Sequence, residues 1–169
     1  MSEQTERVTT IIGLLLLTGA RRGEVFGMRW DDLVLAKDAG VWTKLGSTTK
    51  QKTDHIVPLS EPACQLLAAV ERNGEFVFSG DGKCGHIVEI KKSWRGLLDR
   101  AGIKKLRLHD LRHSFASQLV SSGASLELIG AMLGHASPTT TARYAHLFDS
   151  VQREAAERVG KIIGDANGK

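Results

Sequence analysis

The stretch from residue 31 to residue 60 constrains the fold most, because it interrupts an otherwise helical pattern. It contains three short apolar and partly β-branched runs, Leu33–Ala36, Val41–Leu45 and His55–Leu59, which polar and glycine-bearing turns separate. Such runs with turns between them are typical of neighbouring strands in an antiparallel sheet. The sequence therefore predicts a mostly helical α+β fold with one small three-stranded antiparallel sheet.

Helical patterns flank the predicted sheet on both sides. Before it, residues 5–19 indicate a helix with an apolar body that ends at Gly19, and residues 21–30 indicate one or two short helical turns. After it, we expect a helix that has Pro62 near its first turn and Gly74 past its end. Further helices are predicted at His86–Ala101, His109–Ser122, Ser125–Leu133, Thr139–Ala145 and Val151–Ile163.

Composition narrows the class of protein without fixing the function. The 169 residues are 41% hydrophobic, which suffices for the core of one domain. A formal charge of +4 and a pI of about 9.2 permit a polyanionic partner, although a solvated basic surface explains them equally well. Cys64 and Cys84 lie far apart, no apolar run reaches membrane length, and we expect no leader peptide. We therefore expect a reduced, cytoplasmic protein.

Residues 106–119, LRLHDLRHSFASQL, place basic side chains together on one helix. At about 100° per residue, three apolar side chains share a face that we expect to be buried, namely Leu111, Phe115 and Leu119. His109, Arg112 and His113 share the neighbouring face with the small Ala116, and a guanidinium beside imidazoles suits a phosphodiester oxygen. Taken singly, an arginine is usually a surface residue and a histidine is usually a core or cap residue.

The spacing of His109 and His113 also fits a pair of metal ligands. The zinc protease pattern, however, needs a glutamate directly after the first histidine, and Asp110 stands there. No cysteine or carboxylate completes a ligand set at an obvious spacing. We therefore expect neither a metal nor another cofactor.

Four segments are similar to the signature segments of the tyrosine recombinase (phage integrase) family, and they stand in that family's order. They are TGARRGEV (18–25), TTKQKTDHIVPL (48–59), LRLHDLRHSFAS (106–117) and LGHASPTTTARYAHL (133–147). The resemblance covers nearly the whole chain. It implies the fold of the family's catalytic domain, double-stranded DNA as the partner, and an enzyme that breaks and rejoins DNA strands through a 3′-phosphotyrosyl intermediate. Such an enzyme would be a site-specific recombinase or integrase.

The resemblance also implies a role for individual residues. The expected catalytic set is Arg21, Lys50, His109, Arg112, His135 and Tyr144. Lys50 lies eight residues before the proline of VPL, and Lys52 is its nearest rival. Glu24 is expected to support the helix start beside Arg21. Contacts to DNA are expected from five of these side chains: Arg21, Lys50, Lys52, Arg112 and His135.

These residue types suit the chemistry of a phosphodiester. Two guanidinium forks stabilise the charge that the non-bridging oxygens gain in the five-coordinate state. We expect nearby arginines to favour the phenolate of Tyr144, the only tyrosine. His109 is the candidate to accept or relay its proton, His135 to hydrogen-bond the phosphate, and Lys50 to protonate the leaving 5′-oxygen. Since Tyr144 follows the turn SPTTT on a short segment, we expect it to be mobile without DNA.

The resemblance leaves the organisation and two alternatives open. Members of the family usually carry an N-terminal core-binding domain, so residues 1–169 correspond to a single catalytic domain with that domain absent. We expect a monomer for this piece and a tetramer on DNA for a full-length protein. The apolar stripe of the last helix packs either on its own domain or on a neighbouring protomer. The alternative functions are a non-cleaving DNA-binding regulator and a type IB topoisomerase-like activity.

Overall fold

The computed structural model describes residues 3–36, 40–46 and 53–167. The chain divides into two compact units, Met1–Phe115 and Ala116–Lys169. None of the described helices is long and apolar enough to cross a bilayer. The predicted α+β class is confirmed, since the described elements are mostly helices together with one small three-stranded antiparallel sheet.

The first unit begins with two helices and the sheet. Helix α1 spans Glu3–Thr18 and α2 spans Arg22–Phe26, followed by a 3₁₀ turn at Trp30–Asp32. The strands are β1 (Leu33–Leu35), β2 (Gly40–Lys44) and β3 (His55–Leu59), followed by helices α3 (Glu61–Ala68), α4 (Lys91–Arg100) and α5 (Asp110–Ser121). Helix α5 crosses into the second unit.

The sheet is the predicted antiparallel meander, in the order β1-β2-β3. Trp42 at the centre of β2 lies opposite Leu33 on one side and Val57 on the other. Side chains alternate between the two faces of a strand, and in β2 the buried positions are Gly40, Trp42 and Lys44. A lysine therefore occupies an inward position beside the core tryptophan.

The core of the first unit forms where α1 meets α3 and β3. The apolar body of α1 contributes Ile11 and Leu14, which pack with Leu67 of α3 and with Trp42, and all four are buried. Helix α1 ends at Gly19, whose φ of 61° lies in the left-handed region that glycine adopts without steric cost. This glycine turns the chain into α2.

The second unit contains the end of α5 and three further helices. They are α6 (Leu126–Leu133), α7 (Pro138–Thr141) and α8 (Phe148–Asn167), with a 3₁₀ segment at Ala142–Leu147 before α8. The Ser125 hydroxyl caps α6 by accepting a hydrogen bond from the Leu128 N–H at 3.2 Å. Gly134 ends α6 with a φ of 64°.

Several predicted boundaries are wrong, and long-range pairing explains one of them. Helix α4 begins at Lys91 instead of His86, because Ser79 forms an antiparallel bridge with His86 and the Ile87 N–H donates to the Phe78 carbonyl at 2.9 Å. Helix α3 ends at Ala68, well short of Gly74. The predicted helix at 139–145 is a single α-helical turn followed by the 3₁₀ segment, and α8 is longer than expected at both ends.

Close packing at Gly40 yields a test of how the sheet meets α3. A Cβ at this position would lie 2.8 Å from the Cys64 Sγ and 3.0 Å from the Val34 carbonyl oxygen. We expect Gly40→Ala to lower the free energy of unfolding by about 1–3 kcal/mol, because overpacking outweighs the better strand propensity of alanine. Gly82→Ala is the control, since nothing lies within 4 Å of its Cβ. Equal stability of the two variants in chemical denaturation would contradict this packing.

Candidate active site

Arg21 stands at the start of α2 and is held by Glu24. The Arg21 N–H donates to the Glu24 Oε2 at 2.8 Å, and the Arg21 Nη1 donates to the Oε1 at 2.9 Å. This agrees with the expected support of the helix start, since a carboxylate three residues on closes the first turn as in a capping box. The Arg21 side chain remains 47% exposed, so its other donors face solvent.

Arg112 is buried in the first unit, with 4% of its surface exposed. Its Nη1 donates to the carbonyl oxygen of Gly19 at 2.7 Å, which joins the segment TGARRGEV to the segment LRLHDLRHSFAS. The predicted buried face of α5 is partly wrong, because Phe115 and Leu119 are only half-buried while Arg112 itself is covered. A hydrogen bond to a main-chain carbonyl compensates for the lost hydration of the guanidinium.

Lys44 is a member of this site that the sequence analysis missed. Its Nζ donates to the Glu24 Oε2 at 2.9 Å and lies 4.9 Å from the centre of the Trp42 ring. Only 4% of its side chain is exposed. The signal in the sequence was the two-residue period of β2, which places residue 44 on the same face as the core tryptophan.

The charges of this cluster shift the pKa values of the pair. Burial raises the pKa of Glu24, but Coulomb attraction to Lys44 and hydrogen bonds from Lys44 and Arg21 outweigh it, so the pKa falls from 4.5 to about 2. Burial lowers the pKa of Lys44; attraction to Glu24 opposes this, and repulsion from Arg112 and Arg21 adds to it. The lowered pKa of Glu24 favours its charged form, whereas the lowered pKa of Lys44 favours its neutral form. Three donors on one carboxylate favour the charged form of Glu24.

His109 lies just before α5, beside a second imidazole. The ring centres of His109 and His113 are 5.1 Å apart, with the planes nearly perpendicular. Burial lowers the pKa of His109, and repulsion from His113 and Arg112 lowers it further. A lowered pKa favours the neutral imidazole, which can accept a proton.

Asp110, which stands between His109 and His113 in sequence, is paired with Arg107. The Arg107 Nη2 donates to its Oδ1 at 2.8 Å and the Arg107 N–H donates to its Oδ2 at 2.9 Å. Hydrogen bonds from Arg107 lower the pKa of Asp110. Within the described ranges, no group of three or more histidine, cysteine or carboxylate side chains is arranged to hold a metal ion.

An open groove of about 900 Å³ runs along the first unit past Arg21 and His109. Six further cationic side chains line it, against the carboxylates of Glu89 and Asp99. They are Arg22, Lys91, Arg95, Lys104, Lys105 and Arg107. Lys105 has a φ of 66°, a left-handed conformation that costs a non-glycine residue about 1–2 kcal/mol. The groove thus presents a strong excess of positive charge.

His135 lies in the second unit, directly after the glycine that ends α6. Its N–H donates to the Gly130 carbonyl at 2.9 Å, which completes the helix end. Its ring Nδ1 lies 2.9 Å from the hydroxyl of Thr141, a residue that is 2% exposed. A buried threonine on α7 therefore fixes the plane of the imidazole.

Tyr144 lies in the 3₁₀ segment of the second unit, and only 5% of its surface is exposed. We expected a mobile tyrosine from the sequence, and the burial of Tyr144 counts against that expectation. A short polar segment suggested weak anchoring, but the residue is almost fully buried. An attack by Tyr144 on a phosphate would therefore require this residue to become more exposed than it is here.

The predicted site residues are distributed as follows. Arg21, His109 and Arg112 belong to the first unit, where Glu24 and Lys44 complete their surroundings. His135 and Tyr144 belong to the second unit. Lys50 and Lys52 lie outside the described residues.

Comparisons with known proteins identify the family. The family model described as "Phage integrase family" matches residues 2–150. An integrase of Salmonella phage P22 is 28% identical, over 97% of this chain and 45% of its own length. The tyrosine recombinase XerD of Rhizobium meliloti (strain 1021) is 30% identical, over 85% of this chain and 48% of its own length. This chain therefore belongs to the phage integrase family. This agrees with the four signature segments described above, which stand in the order of that family.

A solved structure supports the fold. The XerH site-specific recombinase bound to a palindromic difH substrate superimposes with a TM-score of 0.74 at 24% identity, over 92% of this chain and 47% of that one. The chain spans about half the length of the curated relatives it matches.

The lowered pKa of Glu24 predicts how stability depends on pH. A carboxyl group whose pKa falls from 4.5 to about 2 on folding stabilises the fold above pH 4.5 by roughly 3 kcal/mol, and that contribution is lost as the pH falls towards 2. The difference in unfolding free energy between the wild type and Glu24→Gln should therefore shrink below pH 4.5. Glu157→Gln, on the exposed surface of α8, is the control and should follow the wild type. A constant difference across this pH range would rule out the ion pair.

Proposed function

We propose that this chain cleaves and rejoins double-stranded DNA through a 3′-phosphotyrosyl bond to Tyr144, as the catalytic part of a site-specific recombinase or integrase. One observation supports the proposal most strongly. Arg21 lines the basic groove together with His109, while the guanidinium of Arg112 is fixed to the Gly19 carbonyl just before α2. Two guanidinium groups and an imidazole near one groove are suited to a phosphodiester.

The proposed reaction exchanges one phosphate ester for another. The Tyr144 oxygen attacks the phosphorus, the bond to the 5′-oxygen breaks, and the DNA 3′-phosphate becomes joined to the tyrosine. The neutral imidazole of His109 takes the phenolic proton, and Lys50 gives a proton to the departing 5′-oxygen. Arg21 and Arg112 stabilise the charge on the non-bridging oxygens, and His135 donates to the same phosphate. Attack by a 5′-hydroxyl reverses these steps, so the energy of the ester is conserved.

We further propose that several copies act together on DNA, up to a tetramer in a full-length protein. The substrate named for XerH is palindromic, and a palindrome presents two equivalent half-sites related by a twofold axis. Val159, Ile162 and Ile163 are exposed apolar residues on α8, and we propose that a second copy of the chain covers them. Sedimentation with and without DNA tests this assembly, which is expected only with DNA.

We also propose that the protein works in the cytoplasm. Cys64 is buried and Cys84 is exposed, and both are free thiols. Free thiols persist in reducing compartments.

The nucleophile is tested with Tyr144→Phe. The substrate is a pool of nicked duplexes with a randomised target, labelled at the 5′ end of the cleaved strand so that the labelled part stays attached to the protein. The wild type should give a labelled protein band that survives denaturation, and Tyr144→Phe should give none while binding the same pool. A band that persists in Tyr144→Phe would exclude Tyr144. Binding without any band from the wild type would indicate a non-cleaving regulator.

The groove is tested at Lys105. Lys105→Gly should weaken DNA binding and reduce the slope of log affinity against log salt by about one, because one phosphate contact is lost. Its melting temperature should be unchanged or higher, because glycine adopts the left-handed conformation without the cost of a side chain. Lys83→Gly, in an exposed turn away from the groove lining, is the control. Wild-type affinity and salt slope in Lys105→Gly would remove Lys105 from the interface.

A further inference from the structure

The Glu24 carboxylate connects two cations that differ greatly in exposure. Its Oε1 accepts a hydrogen bond from the Arg21 Nη1, and its Oε2 accepts one from the Lys44 Nζ, each at 2.9 Å. The Arg21 side chain is 47% exposed, Glu24 is 17% exposed and Lys44 is 4% exposed. The carboxylate therefore has a buried cation behind it and a solvent-facing guanidinium in front of it.

This arrangement affects how much charge Arg21 can offer to a phosphate. A carboxylate paired with Arg21 alone would cancel most of the positive charge of the guanidinium. Lys44 adds a second cation to the same carboxylate, and Arg112 adds a third nearby, since both guanidinium groups lie close enough to repel the Lys44 ammonium. The Glu24 carboxylate is thus shared between Lys44 and Arg21, so it cancels less of the Arg21 charge than it would in a simple pair.

The position of Lys44 excludes a direct contact with DNA in this structure. It occupies an inward position of β2, and its ammonium lies against the Trp42 ring. Any effect on the reaction has to pass through Glu24. Lys44 is thus distinct from Lys50, which the family resemblance assigns to the leaving group.

We propose that Lys44 is a positioning residue for the reaction: it holds the second oxygen of Glu24 and offsets its charge, so that Arg21 is both oriented by the carboxylate and free to attract the phosphate. This inference rests on the proposed function. It assigns to β2 a role in tuning the guanidinium of Arg21.

A purely structural ion pair is the competing explanation, and the two make different predictions. If the pair were purely structural, Lys44→Met would lower stability, because it leaves the Glu24 carboxylate without its buried partner, but the folded variant would cleave at the wild-type rate. If Lys44 offsets the charge of Glu24, its removal leaves a carboxylate that attenuates Arg21. Removing that carboxylate charge as well would then restore part of the rate.

The experiment compares the wild type with Lys44→Met, Glu24→Gln and the double variant on the nicked duplex pool. Affinity is measured by fluorescence anisotropy, and the rate of covalent band formation is measured with enzyme in excess over DNA. We expect Lys44→Met to bind within about threefold of the wild type and to cleave about tenfold to a hundredfold more slowly, as for the loss of part of a charge-stabilising group. The double variant should cleave several-fold faster than Lys44→Met, which is the signature of coupled charges in a double-mutant cycle.

Matched controls separate this result from unfolding. Lys83→Met removes an exposed lysine from a turn and should behave as the wild type. Circular dichroism and thermal unfolding establish that each variant is folded. If Lys44→Met does not fold, Lys44→Gln provides the same test, because the amide donates to Glu24 without carrying a charge.

The outcomes also separate this inference from the proposed function. The role of Lys44 is overturned if Lys44→Met cleaves at the wild-type rate, or if the double variant cleaves no faster than Lys44→Met. In both cases a covalent band from the wild type still upholds the proposed cleavage. If the wild type forms no band, the proposed cleavage fails, and the ¹⁵N NMR signal of the Arg21 guanidinium still tests the geometry. That signal should shift in Lys44→Met and not in Lys83→Met, and an unchanged signal overturns the inference.

Discussion

The hydrogen bond from Arg112 to the Gly19 carbonyl is the interaction on which the first unit depends most. It joins residues 93 positions apart in sequence over 2.7 Å, in a site that water barely reaches. A buried guanidinium without acceptors is strongly unfavourable, whereas the carbonyls at a helix end lack a partner within their own helix. The end of α1 and the start of α5 therefore satisfy each other's polar groups, and Arg21 follows two residues later on the same turn.

The charged side chains around this turn differ in depth, from the buried Lys44 to the exposed Arg21. Lys44 lies in the sheet, Glu24 lies on α2, and Arg21 faces solvent. The two inner members, Lys44 and Glu24, stabilise each other's charge. The proposed DNA-cleaving activity would use Arg21, the outermost member of this series, and in our proposal the two inner members orient it and offset the charge of its carboxylate partner.

Local sequence patterns predict much of this structure. The sheet, the helix that ends at Gly19 and the helix that carries Arg112 all follow from periodicity and from glycine positions. The order of four short segments was enough to indicate the family, and Glu24 was expected beside Arg21. These features depend on neighbours within about one helical turn or one strand pair, so a single sequence reveals them.

Features that depend on distant neighbours were missed. The bridge between Ser79 and His86 delays the start of α4, and no local pattern reveals a pairing partner. The burial of Arg112 depends on a carbonyl far away in the chain, and that of Tyr144 depends on packing around a short 3₁₀ segment. The inward position of Lys44 could have been predicted only from the alternation of side chains along β2. A lysine there contradicts the usual preference for apolar residues at inward positions.

The acceptor of the Arg112 hydrogen bond belongs to the main chain, and this matters for protein engineering. No exchange of side chains along α1 can delete that oxygen, so the anchor tolerates sequence drift in α1 as long as residue 19 keeps its left-handed turn. The cations of the groove are ordinary side chains on the surface. A designer who varies the cations of the groove other than Arg21 therefore leaves this main-chain anchor in place.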